Sequence, residues 1–277
     1  MRYSAEGAFP EIFKRRVRDE AKAAVIGIIG SEEAATWTAR RLRAIGYTVT
    51  GLYVVAATSS EVEECVRSKL ENDVLVMTGG VEPGVAPAFE GIAAALGKKL
   101  VQNEEAKRLV EQHYYMVYRE QGYPGDEFQI PEEFEVLYTL PDEARVIPNS
   151  KGLVPGIILE EGDKIVVCLP ANVTEVSDMF EDDVDPYVRS LLGVSLSATI
   201  NVVAKTRDQK LLSLIAEEVA RSNPWIFTQV KQNIFSKEGR AITLTVFARA
   251  PEELSEKLEN AIKIIEETLR VKGIEKA

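Results

Sequence analysis

Thr78, Gly79 and Gly80 close the apolar run VLVM, and the chain then turns through Pro83 and Gly84 into a helical stretch that reaches Gly97. A strand leaving a sheet through glycines into a helix exposes main-chain N–H groups, which hold phosphate oxygens whatever the neighbouring side chains are. The same residues also read as a tight strand exit that binds nothing. Glu32, Glu33, Glu82 and Glu90 are the acids nearest such a crevice, and no aspartate lies between Thr78 and Gly97. A hard divalent cation needs several oxygen ligands, so Glu32 and Glu82 are the candidates for a catalytic metal site, and a confident metal site is not among the expectations. The four acids of FEDDVDP (180–186) stand at helical spacing, which fits a solvated helix face or end. His113, the single histidine, lies beside Tyr114 and Tyr115 with no identifiable carboxylate or thiol partner, and reads as a packed or surface aromatic.

Two further stretches can face the Thr78–Gly80 exit. IPNSKGLVPG (147–156) holds two glycines and two prolines in ten residues, a rigid turn whose amides are available to a ligand. Asn149, Lys151 and Gly152, with Pro170, Ala171 and Asn172 at the end of KIVVCL, would form the opposite wall around a sugar or base, Lys151 supplying positive charge. The alternative for 147–156 is a plain turn between layers.

The elements that must position these residues alternate in period. AAVIGIIG (23–30) is a continuous apolar run suited to a strand covered on both faces, and ATWTARRLRAIG (35–46) has helical spacing at Trp37, Leu42 and Ile45. TVTGLYVV (48–55) reads as a second strand, and 59–72 as a helix capped by Ser59 or Ser60. A third strand covers 74–80 and a long helix 103–122. GIILEEGDKIVVCLP (156–170) reads as a hairpin, with a helix starting near Thr174. This succession predicts an α/β fold around a parallel sheet, with ligands at the strand C-terminal ends. From 197 to 277 the pattern is β-α-β-β-α, a small α+β domain, with Trp225 in its core. The predicted domains are an N-terminal helical extension over 1–22, an α/β domain over 23–193 and the small domain over 197–277.

Composition narrows the function. The 277 residues carry a net charge of −11 with 28% charged and 45% hydrophobic residues. That suits a soluble globular chain and makes nucleic acid a poor partner. No apolar run is long enough to span a membrane and the N-terminus lacks a signal-peptide core, so a cytoplasmic protein without a membrane partner is expected. The basic amphipathic stretch around 13–22, with Phe9, Ile12, Phe13 and Val17 as its apolar side, is expected to cover a sheet edge or a partner subunit. Cys65 and Cys168 read as reduced structural thiols. The small domain has one aromatic, Phe247, in ITLTVFARA and so lacks an RNA-stacking platform. Dimerisation or closure over the site fits it better, with Lys231 and Lys237 reaching a phosphate. A homo-oligomer, first of all a dimer, is expected.

The ordered set IGSEE (29–33), WTARRLRAIGYTV (37–49), VLVMTGGVEPG (74–84), IPNSKGLVPG (147–156) and LPANVTEVSDMFEDDVDPYV (169–188) resembles the CinA-like family, in a stand-alone form. The resemblance implies a three-layer, parallel-rich sheet of the molybdopterin-binding-domain type. It implies a nucleotide or pterin phosphate at the strand ends, and in some members ADP-ribose pyrophosphate cleavage with a divalent metal such as Mg, Mn or Co. A deamidase domain for nicotinamide mononucleotide follows in longer relatives; with the sequence ending at Ala277, deamidation is not expected.

Departures from the family pattern bear on chemistry. The family's Gly-Asp-Glu after the first strand is Gly30-Ser31-Glu32 here, its Gly-Asp after the second strand is Ala56-Ala57, and the two aspartates beyond Thr-Gly-Gly are missing. The expectation is a binder of ADP-ribose or a related pyridine nucleotide with pyrophosphatase activity weak or lost. An active metal-dependent pyrophosphatase using Glu32 and Glu82, and a molybdopterin-binding protein, are the alternatives.

Overall fold

The computed structural model describes residues 17–125, 128–230 and 239–276. The expectations placed on residues 1–16 and on Lys231 and Lys237 lie outside them. The chain divides into two compact units, one of Ala21–Ala39 with Thr48–Pro186, the other of Arg40–Tyr47 with the residues from Tyr187 onward and those before Ala21.

In the first unit, β1 (Lys22–Ile28), β2 (Thr48–Val55), β3 (Val74–Thr78), β6 (Arg145–Ile147), β7 (Gly156–Glu161) and β8 (Lys164–Leu169) form one sheet in the order β2-β1-β3-β8-β7-β6. β2, β1, β3 and β8 are parallel, while β7 runs antiparallel to β8 and β6 antiparallel to β7, which returns β6 to the direction of the first four. Between them run α1 (Glu32–Ile45), α2 (Ser59–Lys69), α3 (Pro87–Leu96) and α4 (Glu104–Glu120), then a 3-10 helix at Glu132–Leu137. β4 (Leu100–Gln102) and β5 (Thr139–Pro141) make a separate two-stranded ladder. After β8 come α5 (Val173–Met179), a π-helical turn at Phe180–Val184 and α6 (Asp185–Leu191).

The apolar runs are buried because helices cover both faces of the sheet. Ile26, Ile28, Leu75, Met77 and Cys168 pack beneath residues of α2, α3 and α4. On the other face Ala35 of α1 meets Gly27, and Met179 of α5 meets Gly156. Each such aliphatic side chain contributes about 1.5–3 kcal/mol by leaving water. This is the three-layer α/β arrangement expected.

Local chemistry sets the helix starts. Thr58 caps α2 by accepting from Glu61 N at 3.4 Å, so the cap precedes the expected Ser59 or Ser60 by at least one residue. α1 begins at Glu32, ahead of the expected Ala35, because Glu32 and Glu33 suit the positive end of a helix dipole. β1 stops at Ile28, leaving Ile29 and Gly30 outside the strand.

The second unit holds β9 (Leu196–Ala204), α7 (Gln209–Ser222), β10 (Phe227–Gln229), β11 (Arg240–Ala248) and α8 (Pro251–Val271), the β-α-β-β-α order expected. Its antiparallel sheet runs β10-β11-β9. Ile242, Leu244 and Val246 pack with Leu212, Ile215, Ile265 and Leu269, and Trp225 is a partly buried neighbour of that core. Arg41 lies over Phe227 at 4.9 Å and over Phe247 at 4.7 Å, and Phe247 is buried, so its ring offers no surface to a base. Among the described residues no helix is long and apolar enough to cross a membrane.

Candidate functional site

β1, β3 and β8 are neighbours in parallel, so their C-terminal ends lie side by side. Three residues tie these ends together. The Ser31 hydroxyl lies 2.8 Å from the Ile28 carbonyl oxygen, 2.7 Å from the Thr78 carbonyl oxygen and 2.9 Å from the Thr78 hydroxyl. Gly79 N donates to the Leu169 carbonyl at 2.9 Å. Thr78 is fully buried and Ser31 only 1% exposed. The sequence reading gave Thr78 and Gly79 the phosphate contact. In the structure the Thr78 hydroxyl and the Gly79 amide already have partners inside the protein.

Gly80 is placed differently. Its backbone φ of +74° is open to glycine, and a Cβ would stand 2.8 Å from Ile28 Cγ1 and 3.2 Å from Ala88 Cβ. It is half-exposed, its carbonyl accepts from Ala88 N at the start of α3, and among the described residues no hydrogen bond engages its amide. Gly30, past the end of β1, and Ala171, past the end of β8, are exposed beside it in strand order.

Beyond Gly80 the chain makes a reverse turn. Glu82 N donates to Val85 O at 2.9 Å and Val85 N to Glu82 O at 3.0 Å, with Pro83 and Gly84 (φ +83°) at the corner, the residues a type II turn requires. Gly84 N donates to Glu133 O of the 3-10 helix at 2.7 Å. Gly84 lines a cavity of about 680 Å³ whose charged residues are Glu90, Glu132, Glu133 and Glu135. Pro83 and Gly84, expected with Gly80 among the ligand-binding residues, sit in an internally bonded turn whose glycine lines an acidic cavity.

The 149–152 turn and the 170–172 strand exit are joined through a contact the sequence did not reveal. Asn149 Oδ1 accepts from Lys151 N at 3.0 Å and Gly152 N at 2.9 Å, and its Nδ2 donates to Val154 O at 2.9 Å and Glu175 Oε2 at 2.7 Å. Asn172 caps α5 by accepting from Thr174 N at 2.8 Å and Glu175 N at 3.4 Å. Glu175 thus joins the 149–152 turn to the 170–172 strand exit. Both asparagines are consumed in this work, and a Cβ on Gly152 would strike Glu175 Oε2 at 2.4 Å. Pro170 is buried, while Lys151 and Ala171 remain exposed. His113 lines a small cavity of about 130 Å³ against this turn, with Met116 and Leu153.

The profile described as "Probable molybdopterin binding domain" matches residues 25–190, well over half of the chain. The chain belongs to that family, as a CinA-like protein. A protein of Pyrobaculum arsenaticum is 29% identical over 88% of this chain and 89% of its own length. A CinA-like protein of Dictyoglomus turgidum is 31% identical over 72% of this chain, which spans 45% of that longer relative. The structure of CinA from Thermoplasma acidophilum, described as of unknown function, superposes with a TM-score of 0.53 at 23% identity, over 61% of this chain and 99% of that one. That likeness fixes the fold.

Within this CinA-like chain the family's divalent cation is a poor fit. Ser31, at the position of the family aspartate, turns its side chain inward among carbonyl oxygens. Glu32 turns its carboxylate onto Gly30 N at 3.0 Å, and Glu82 stands exposed on its turn. Among the described residues no three His, Cys, Asp or Glu side chains come together in a way that could hold a metal ion. FEDDVDP is not simply a solvated face: Asp185 is buried, and Asp183 has its carboxyl pushed up to about 6, first by burial and then by the charge of Asp182. Ser31 is the residue that sequence reasoning undervalued. Its signal was a small hydroxyl between a glycine and two glutamates, directly after a buried strand.

Proposed function

We propose that this CinA-like chain binds a nucleotide diphosphate, ADP-ribose or a related pyridine nucleotide, at the C-terminal ends of β1, β3 and β8, with pyrophosphate hydrolysis weak or absent. One observation carries the reading. The floor under the three strand ends is neutral and closed by Ser31, Thr78 and Gly79, while Gly80 is half-exposed above it and Gly30 and Ala171 are exposed, the Gly30 amide held by Glu32. Main-chain dipoles at strand exits that lead into helices favour an anion without a counter-cation. Glu32 tests this arrangement, since an anion at Gly30 must displace its carboxylate from the amide.

Calorimetric titration of the purified full chain with ADP-ribose, AMP and a pterin is the direct test, followed by incubation with ADP-ribose and Mg²⁺, Mn²⁺ or Co²⁺ while AMP is measured. Saturable uptake of ADP-ribose without AMP release is the expected result. Heat with the pterin alone moves the reading to a pterin binder. AMP release that vanishes in Glu32→Gln overturns the loss of hydrolysis, and no uptake of any of the three overturns the binding itself.

A further inference from the structure

The six-stranded sheet ends at β2, which among the described residues pairs on one side only, with β1. Natural edge strands are usually blunted by lysine, proline or an inward charge, since an open edge recruits another strand. β2 reads TVTGLYVV and has neither charge nor proline in eight residues. Its exposure alternates along the strand. Tyr53 and Val55 pack on the core beneath α2, while Leu52 and Val54 point to the other face and are 38% and 48% exposed. Ile29, bonded through its amide to the Val55 carbonyl at 3.0 Å, adds a third aliphatic at 65% exposure. One exposed leucine means little. Two large aliphatics on a strand whose outer side is unpaired among the described residues, with a third exposed beside them past the end of β1, call for a partner in a chain with 28% charged residues.

We propose that this edge pairs antiparallel with β2 of a second copy of the chain, about a twofold axis normal to the sheet. Charge selects this occupant. α2 runs back along β2: Glu61 in its first turn accepts from Ala56 N, just past the end of the strand, at 3.2 Å, while Lys69 in its last turn lies 4.2 Å over the Tyr53 ring. Asn72, beyond the helix, accepts from Thr50 at 2.8 Å. The helix therefore has its acidic end, Glu61, at the strand's C-terminus and its basic end, Lys69, toward the N-terminus, while Arg67 turns away to Glu63 and the Ala94 carbonyl of α3. A twofold antiparallel pairing lays the acidic end of one copy toward the basic end of the other. It also sets an uncharged strip against an uncharged strip, so the net charge of −11 on each copy is not gathered at the seam. Pairing of identical strands closes the edge after two copies, whereas a head-to-tail match would not.

Side chains directly opposite in an antiparallel pair share a face, so a register centred on Leu52 sets Leu52 against its own copy and Thr50 against Val54. Light scattering of the full chain is expected to give a dimer, and Val54→Lys a folded monomer by circular dichroism. Leu52→Cys in a Cys65→Ser background is expected to form an interchain disulfide under mild oxidation, because opposed Cα atoms in a ladder fall within disulfide reach. A monomeric wild type, or a dimer that Val54→Lys leaves intact, overturns the proposal. Should Val54→Lys fail to fold, the crosslink decides alone, and its absence counts against the pairing.

Discussion

The Ser31 hydroxyl stands 2.9 Å from the Thr78 hydroxyl, both fully or almost fully buried, and this pair joins the end of β1 to the end of β3. The two hydroxyls share their protons among each other and the carbonyl oxygens of Ile28, Thr78 and Ser31. Ser31→Ala leaves the Thr78 hydroxyl and carbonyl without that partner in a site with no water access. A loss of about 1–3 kcal/mol is expected, the cost of an unsatisfied buried polar group. Ser31→Asp is expected to cost more than Ser31→Ala, because a carboxylate would face carbonyl oxygens. Denaturant midpoints measured at unchanged slope check both.

Gly80 and Glu82 separate main-chain from side-chain binding. Gly80→Ala forces a positive φ on a residue whose Cβ meets Ile28 and Ala88, with about 1–3 kcal/mol of overpacking expected. The distortion falls on an amide with no hydrogen bond among the described residues, so ADP-ribose uptake is expected to drop with stability. Glu82→Gln alters only an exposed turn residue and is expected to leave both unchanged. Calorimetry beside thermal melts of the two variants reads the difference.

Asp183 makes stability depend on pH in the less common direction. Its folded carboxyl, raised to about 6, lies above that of the unfolded chain, so the folded state binds the proton more tightly. The stability it lends is complete below about pH 4 and is lost as pH rises through about 6. Solvent reaches the side chain, and screening leaves an effect of about 1 kcal/mol. Asp183→Asn is expected to raise the unfolding midpoint at neutral pH and to flatten its change between these limits, as chemical denaturation at a series of pH values will show.

The two thiols differ in reach. Cys168 is buried in β8 with its thiol pushed up to about 12 by burial, and Cys65 on α2 is half-exposed, its thiol also raised by burial. The reactive species is the thiolate. A chromogenic disulfide reagent is expected to modify Cys65 slowly in the native chain and Cys168 only on unfolding. Native labelling of Cys168 at a comparable rate would mean that β8 opens.

Legibility followed the range of the interactions involved. β2 spans the expected 48–55 residue for residue, and the β7–β8 hairpin and the C-terminal β-α-β-β-α order follow from alternation, helical spacing and turn residues close together in the chain. The short β4–β5 ladder was not foreseen, since three-residue strands joined across α4 and the 3-10 helix leave no periodic trace. The π-helical turn at Phe180–Val184 likewise left no local mark. Asn172 as a cap could be read from position alone, but the Asn149–Glu175 bond could not.

By itself the sequence determined which segments become strands and helices and which strand ends carry glycine, because periodicity, capping and left-handed backbone freedom are properties of neighbouring residues. It also determined that the acids of the resembled family are absent. Only the tertiary structure decided which donors remain for a ligand. Parallel pairing brought Ser31 to Thr78 and Leu169 to Gly79, and a buried polar group takes the nearest partner that desolvation allows. The accessible main chain thus passed from Thr78 and Gly79 to Gly80, and the Pro83–Gly84 corner turned toward an acidic cavity.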